Sequence, residues 1–235
     1  MPDHNILLRK IGVFFTDHNL LHIALTHASA ANEIKSGSTD SNERLEFLGD
    51  SLIGLVIANE LFRRLPEKPE GYLTELRSYL VNRETLADVA KQISLGDYIV
   101  LGQGEKQTGG QYRDSNLSSC FEALMGAILL DQGFNKAYSV VTQLLNTEIE
   151  EVVKNGVERD PKSSLQELTQ SMGKGTPQYI LVQQTSEKHN RTFVVEIVLD
   201  TEIIGKGTGQ RKLDAERIAA TKAIESLRPL GFDNI

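Results

Sequence analysis

The sequence predicts a multidomain chain: an all-α domain over residues 1–153, a linker over 154–160, and a small α+β domain of order αβββα over 161–230. Apolar residues recur at helical spacing up to residue 153 and alternate at strand spacing in segments after Lys162. The stretch between them, KNGVERD closed by Pro161, is charged and carries Gly156, as a connection does. Charge divides the same way. Residues 1–158 hold 14 of the 25 Lys+Arg and 22 of the 32 Asp+Glu, net −8, and the remainder is net +1.

At 235 residues the chain can bury one large and one small core. A net charge of −7 with pI ≈ 5.3 argues against indiscriminate binding to a phosphate polymer. The acidic first domain can handle phosphates only where bound cations reverse the local field. Cys120 is the only cysteine, so no internal disulfide forms and a reducing compartment is expected. The start MPDHNILLRKIGVFF lacks the basic head and apolar core of a leader, and no apolar run is long enough to span a bilayer. A cytoplasmic location without membrane contact is therefore expected.

Residues 5–14 and 18–30 read as short amphipathic helices, the second running into ALTHAS. His22 and His27 in it have no ligand partner at metal spacing and read as hydrogen-bonded structural histidines. EIKSGSTDS (33–41) is a turn-rich loop. The helix that follows, opening with NERLEFLGDSLIG (42–54) and running to Arg63 or Arg64, organises the chain. Glu43, Glu46 and Asp50 fall on one stripe that continues into Ile53 and Ile57. Leu45, Leu48, Leu52, Leu55 and Val56 cover its other sides, so the helix reads as buried. Buried carboxylates must be protonated, paired with Lys or Arg, or bound to a cation, and hard oxygen donors suit Mg²⁺. Arg44 points off the stripe and is no obvious counter-ion. The alternative is a solvated acidic face at a helix start, with Asp40 and Glu43 as a capping box. Gly49 and Gly54, each costing about 1 kcal/mol in a helix interior, suggest that another backbone or a substrate comes close.

After Pro66 and Pro69, residues 71–93 resume a helical pattern. The Gly-rich stretch 94–114 resembles a nucleotide cradle only superficially: no Walker lysine follows and no strand precedes it, so it reads as a connecting loop. NLSSCFEALMGAILLDQG (116–133) is a second buried helix, with Gly133 as its stop. Its one interior carboxylate, Glu122, most simply aims at the same cation as Glu46 and Asp50. A Ser119-x-x-Glu122 capping box is the alternative. Residues 134–153 form another amphipathic helix. In the small domain SSLQELTQSM is helical, PQYILVQQ, RTFVVEIVLD and IIGKGTG are strands, and LDAERIAATKAIESL is a final helix whose Ala219, Ala220 and Ala223 allow close packing on a sheet.

NERLEFLGDS, ALTHAS and the Glu122 segment resemble the ribonuclease III family, and DPKSSLQEL, HNRTF, GKGTG and RKLDAE resemble the double-stranded-RNA-binding domain. The resemblance implies an endonuclease domain followed by that RNA-binding domain. It also implies Mg²⁺-dependent hydrolysis of double-stranded RNA, Mn²⁺ being able to substitute, giving 5′-phosphates and short 3′ overhangs from ribosomal and messenger RNA precursors. Glu46, Asp50 and Glu122 would hold the ion, with Asp50 and Glu122 the catalytic pair and Glu43 accessory. Arg77 and Asn82 match the family as well, Arg77 being equally a structural partner for a buried carboxylate. Where the family has Asp, this chain has Ser119, whose hydroxyl can serve the ion through water but brings no charge. The implied alternative is a weakly active or inactive homologue that only binds duplex RNA. Gln166, Glu167 and His189 match minor-groove readers, and Arg211 and Lys212 a phosphate clamp that lacks one of the family's two adjacent basic residues. Phe47 matches a residue that plugs a socket on a partner subunit, which implies a homodimer; ordinary core packing is the alternative. A further rival, setting the small domain aside, is an all-helical metal-dependent nucleotide pyrophosphatase.

Overall fold

The computed structural model describes residues 3–33, 41–157, 160–187 and 190–227. The expected capping residue Asp40 and the expected RNA contact His189 lie outside these. The chain divides into two compact units, Met1–Val157 and Glu158–Ile235, each with its own apolar core.

The first unit is helical: α1 (His4–Lys10), α2 (His18–Leu25), α3 (Ala28–Glu33), α4 (Glu43–Arg64), α5 (Glu70–Leu80), α6 (Arg83–Gln92), α7 (Gln103–Gln107), α8 (Asp114–Gln132), α9 (Phe134–Leu144) and α10 (Asn146–Asn155). Several expected helices are shorter or divided, each for a local reason. Gly12, at φ 67°, turns the chain just after α1. The segment 18–30 breaks at Thr26, which pairs as a single parallel bridge with Val100. There the Val100 amide donates to Leu25 at 2.8 Å and the His27 amide to Val100 at 3.0 Å. Residues 71–93 divide at Asn82, whose extended backbone and side chain cap α6 by accepting from the Thr85 amide at 2.8 Å. Residues 134–153 divide at Leu145 and continue to Asn155, where Gly156 at φ 71° ends the run.

Helix α8 runs through the core, with Leu117, Phe121, Leu124, Met125 and Ile128 almost fully buried, and α4 packs along it. Among the described residues no helix is long and apolar enough to cross a membrane.

The second unit has the expected order: α11 (Pro161–Ser171), β1 (Gln178–Glu187), β2 (Asn190–Leu199), β3 (Glu202–Gly209) and α12 (Lys212–Leu227). Pro161 opens α11, where its missing amide costs no helical hydrogen bond. The strands form one antiparallel sheet in the order β1-β2-β3. Val195 and Ile197 are buried in one core cluster with Leu165, Ala215, Ala219, Ala220 and Ala223. Opposite those two strand residues stand Gly207 and Gly205 of β3. A Cβ would lie 2.4 Å from the Ala219 oxygen at Gly205, and 2.1 Å from the Ala215 oxygen at Gly207. The GKGTG glycines and the α12 alanines thus let helix and sheet meet at backbone distance.

Candidate active site

The carboxylates expected to share a cation sit on α4 and α8, and these helices also touch backbone to backbone. A Cβ at Gly49 would lie 1.8 Å from the carbonyl oxygen of Glu122, and one at Gly126 would lie 2.3 Å from that of Leu45. Gly49 is therefore required by the crossing, as its cost in a helix suggested, whereas a Cβ at Gly54 would meet open space. Gly126, a glycine inside the apolar helix α8, carries the same signal in the sequence as Gly49.

Across this crossing the Ser119 hydroxyl donates to Glu46 Oε1 at 2.9 Å. Ser119 lies well inside α8, which starts at Asp114 after the flanking Arg113, so it is not a helix cap. Its hydrogen bond goes to α4, which corrects the capping-box alternative.

Glu122 is half-buried, and its carboxyl is pushed up to about 7, first by burial, then by the negative charge of Asp50 and then by that of Glu46. Buried Cys120 is pushed up to about 12 by burial and then by Glu46, which keeps it a thiol and not a thiolate donor.

The expected burial of the whole acidic stripe is not found. Glu46 is half-buried, but Glu43 and Asp50 are exposed. Nor is α4 apolar and covered on all sides, since Phe47 is 77 % exposed and Leu55 and Phe62 are exposed too. The core covers the side of α4 that carries Leu45, Gly49, Leu52, Ile53, Val56 and Ile57. The stripe therefore passes from solvent at Glu43 into the core at Ile53 and Ile57. Glu43 accepts from the Ser41 hydroxyl at 2.6 Å.

Among the described residues no three His, Cys, Asp or Glu side chains stand close enough together to hold a metal ion as they are. The donor set nevertheless fits a hard divalent cation. Its members are carboxylates and a hydroxyl, and Glu122 carries an unfavourable burden of burial and like charge that a cation would relieve.

Beside this face lies a groove of about 910 Å³, lined by Leu20, Ile23, Leu45, Phe47, Leu48 and Leu130 together with Ser41, Glu43 and Arg44. Ordinary core packing does not account for Phe47, which is exposed. From sequence Leu20 and Ile23 read only as apolar positions of the second helix and Leu130 carries no separate signal, because apolar residues at helical spacing look the same whether they face a core or a groove.

The other expected residues fall as follows. Gln166 and Glu167 are exposed on α11, and Arg211 and Lys212 are exposed at the start of α12. Lys212 Nζ is 3.8 Å from Glu216, which Lys162 also reaches at 2.5 Å. The His27 ring pairs with the Ser29 hydroxyl at 2.8 Å, a structural role. Arg77 is exposed; Glu60, a buried carboxylate of this domain, is bonded instead to Arg64 and Tyr138.

Residues 17–149 match the family described as Ribonuclease-III-like, and residues 161–227 match the double-stranded RNA binding motif. The chain is 43% identical over 229 residues to Ribonuclease 3 of Vibrio cholerae, covering 96% of this chain and 98% of that protein. It is 39% identical over 228 residues to Ribonuclease 3 of Pelotomaculum thermopropionicum, covering 95% of each. Among solved structures, the nuclease domain of ribonuclease III from Campylobacter jejuni aligns with a TM-score of 0.58 and 37% identity, over 62% of this chain and 97% of that one.

Proposed function

The chain belongs to the ribonuclease III family, and from that premise we propose a Mg²⁺-dependent endoribonuclease whose site is Glu46, Asp50, Glu122 and Ser119. Enzymes of this family are metal-dependent and specific for double-stranded RNA, and this chain carries the matching RNA-binding motif. The supporting observation is the crossing of α4 and α8, where Gly49 meets the backbone of Glu122 and the Ser119 hydroxyl donates to Glu46 at 2.9 Å.

Glu46, Asp50 and Glu122 would hold the ion, and Mn²⁺ offers the same preference for oxygen donors. A divalent cation supplies Lewis acidity at phosphate and lowers the pKa of a water that can attack phosphorus. The residues of the chain prepare that chemistry. Burial and the charges of Asp50 and Glu46 push the Glu122 carboxyl up to about 7, and a bound cation would favour its charged form. The Ser119 hydroxyl holds Glu46 in place. Exposed Glu43 stands ahead of the pair on α4 as an accessory residue. On the second unit, Gln166 and Glu167 face solvent where a minor groove can reach them, His189 joins them by family likeness, and Arg211 and Lys212 take phosphates.

A duplex has two strands and one site cuts one of them, so the working form is a homodimer. Exposed Phe47 beside its groove supports this, as does the Campylobacter jejuni nuclease domain, described as having a region involved in dimer formation. By the same family reading the products carry 5′-phosphates and short 3′ overhangs, the substrates are ribosomal and messenger RNA precursors, and the compartment is the cytoplasm. By the same reading the catalytic domain spans residues 1–153, the linker 154–160, into which the end of α10 reaches as far as Asn155, and the RNA-binding domain 161–230.

Cleavage of a long RNA duplex with Mg²⁺ tests this reading, comparing the native chain with Glu122→Ala and Ser119→Asp. The expected result is cleavage by the native chain and none by Glu122→Ala. A native chain that binds duplex but cuts only after Ser119→Asp would instead make it a binding protein, the alternative that the uncharged Ser119 raises.

A further inference from the structure

Ser119 is the one member of the site that brings no charge, and its hydroxyl is committed to a neighbour. It donates to one oxygen of half-buried Glu46 at 2.9 Å, across the crossing of α4 and α8. The crossing is close, because Gly49 and Gly126 let the two backbones meet. The Glu46 side chain has several rotatable bonds, and a donor fixed on the facing helix orders it before any ion arrives. A carboxylate at position 119 could not donate this bond in its ionised form. It would repel Glu46 in the ion-free chain while adding a charged ligand to the loaded one.

We propose that Ser119 is a positioning residue that holds Glu46 for the ion, and that its neutrality sets a weaker ion affinity than a carboxylate there would give. This rests on the reading of Glu46, Asp50 and Glu122 as the ion's ligands. Ser119 thus exchanges binding strength for a pre-ordered Glu46 in the ion-free protein.

The test is Mn²⁺ titration of the full-length chain without RNA, following the free-ion electron paramagnetic resonance signal, with Mg²⁺ as competitor. Ser119→Ala is expected to weaken Mn²⁺ binding about tenfold, the usual effect of losing a group that orients a ligand. Ser119→Thr, which keeps the hydroxyl, is expected to restore the native affinity. Ser119→Asp is expected to tighten binding about tenfold by adding a charged ligand. Unchanged affinity in Ser119→Ala would overturn the positioning role, and so would a failure of Thr to rescue; unchanged affinity in Ser119→Asp would overturn the charge argument. Glu122→Ala separates these failures from failure of the ligand reading. If native and Glu122→Ala bind Mn²⁺ alike, or neither binds it, the ligand assignment itself is wrong. Should Ser119→Ala unfold, Ser119→Gly, which also removes the hydroxyl, takes its place, and unchanged affinity there would equally overturn the positioning role.

Discussion

The place of a Cβ on Gly49 is occupied by the carbonyl oxygen of Glu122, 1.8 Å from where that atom would sit. The acid on α8 is thereby tied to the packing of the two helices. Gly49→Ala must force the backbones apart, with an expected loss of about 2–3 kcal/mol of stability and of ion-dependent cleavage. Gly54→Ala meets open space and is expected to gain up to about 1 kcal/mol. Urea denaturation of the two variants measures both, and a stable, active Gly49→Ala protein would contradict the packing argument.

Glu122 makes the ion-free protein sensitive to pH. Its ordinary value is 4.5 and its folded value is about 7, so between them the folded state binds the proton more tightly. Stability therefore falls as pH rises through that window, and the penalty is complete above it. Glu122→Gln is expected to stabilise the ion-free chain on the order of 1 kcal/mol at about pH 8, discounting for partial exposure, and to change little at about pH 4. Thermal denaturation in chelator at both pH values checks this; equal shifts at both would refute it.

Glu60 is a buried carboxylate with a structural role. It accepts from the Tyr138 hydroxyl and from Arg64 Nε, and Arg64 also reaches Glu150 at 2.6 Å. Its pKa is held below the ordinary carboxylate value, foremost by the Tyr138 hydrogen bond, which together with Arg64 and Arg63 outweighs burial. That contribution is present above the ordinary value and is lost as pH falls through the folded one. Tyr138→Phe is expected to cost about 1–3 kcal/mol near neutrality, a difference that shrinks in acid. Denaturation at several pH values follows it.

Replacing Phe47 by Asp puts a charge at the exposed apolar site beside the groove. Sedimentation of the native chain as a dimer and of Phe47→Asp as a monomer is the expected outcome. Identical sedimentation of the two would remove Phe47 from the interface.

The proposed phosphate contacts at the start of α12, Arg211 just before it and Lys212 as its first residue, are expected to act through charge. Arg211→Ala and Lys212→Ala are each expected to lower the salt slope of duplex binding by about one, whereas Gln166→Ala weakens binding with the slope unchanged. Binding isotherms at several salt concentrations distinguish these outcomes.

Most elements were legible because they obey a period. The helical and strand segments each repeat at their own spacing, and αβββα followed directly. The breaks at Thr26 and Leu145 were not legible, since no glycine or proline marks them, and at Asn82 the one mark is a side chain suited to capping. The first exists only because Thr26 pairs with Val100, far along the chain. At the site, the shared face of Glu43, Glu46 and Asp50 could be read from their spacing, but their exposure could not. Exposure depends on how much of α4 the rest of the fold covers, and sequence contains no measure of that. The partner of Ser119 was hidden for the same reason: it lies on another helix, at a distance set by two glycines.

The glycines of β3 touch only the underside of α12, yet any side chain at Gly205 or Gly207 would push that helix away from the sheet. The expected phosphate contacts ride on the same helix. A random-mutagenesis screen for lost duplex binding would therefore return these two interior positions beside the true contacts. Such hits would have to be sorted by a folding assay before a footprint could be drawn.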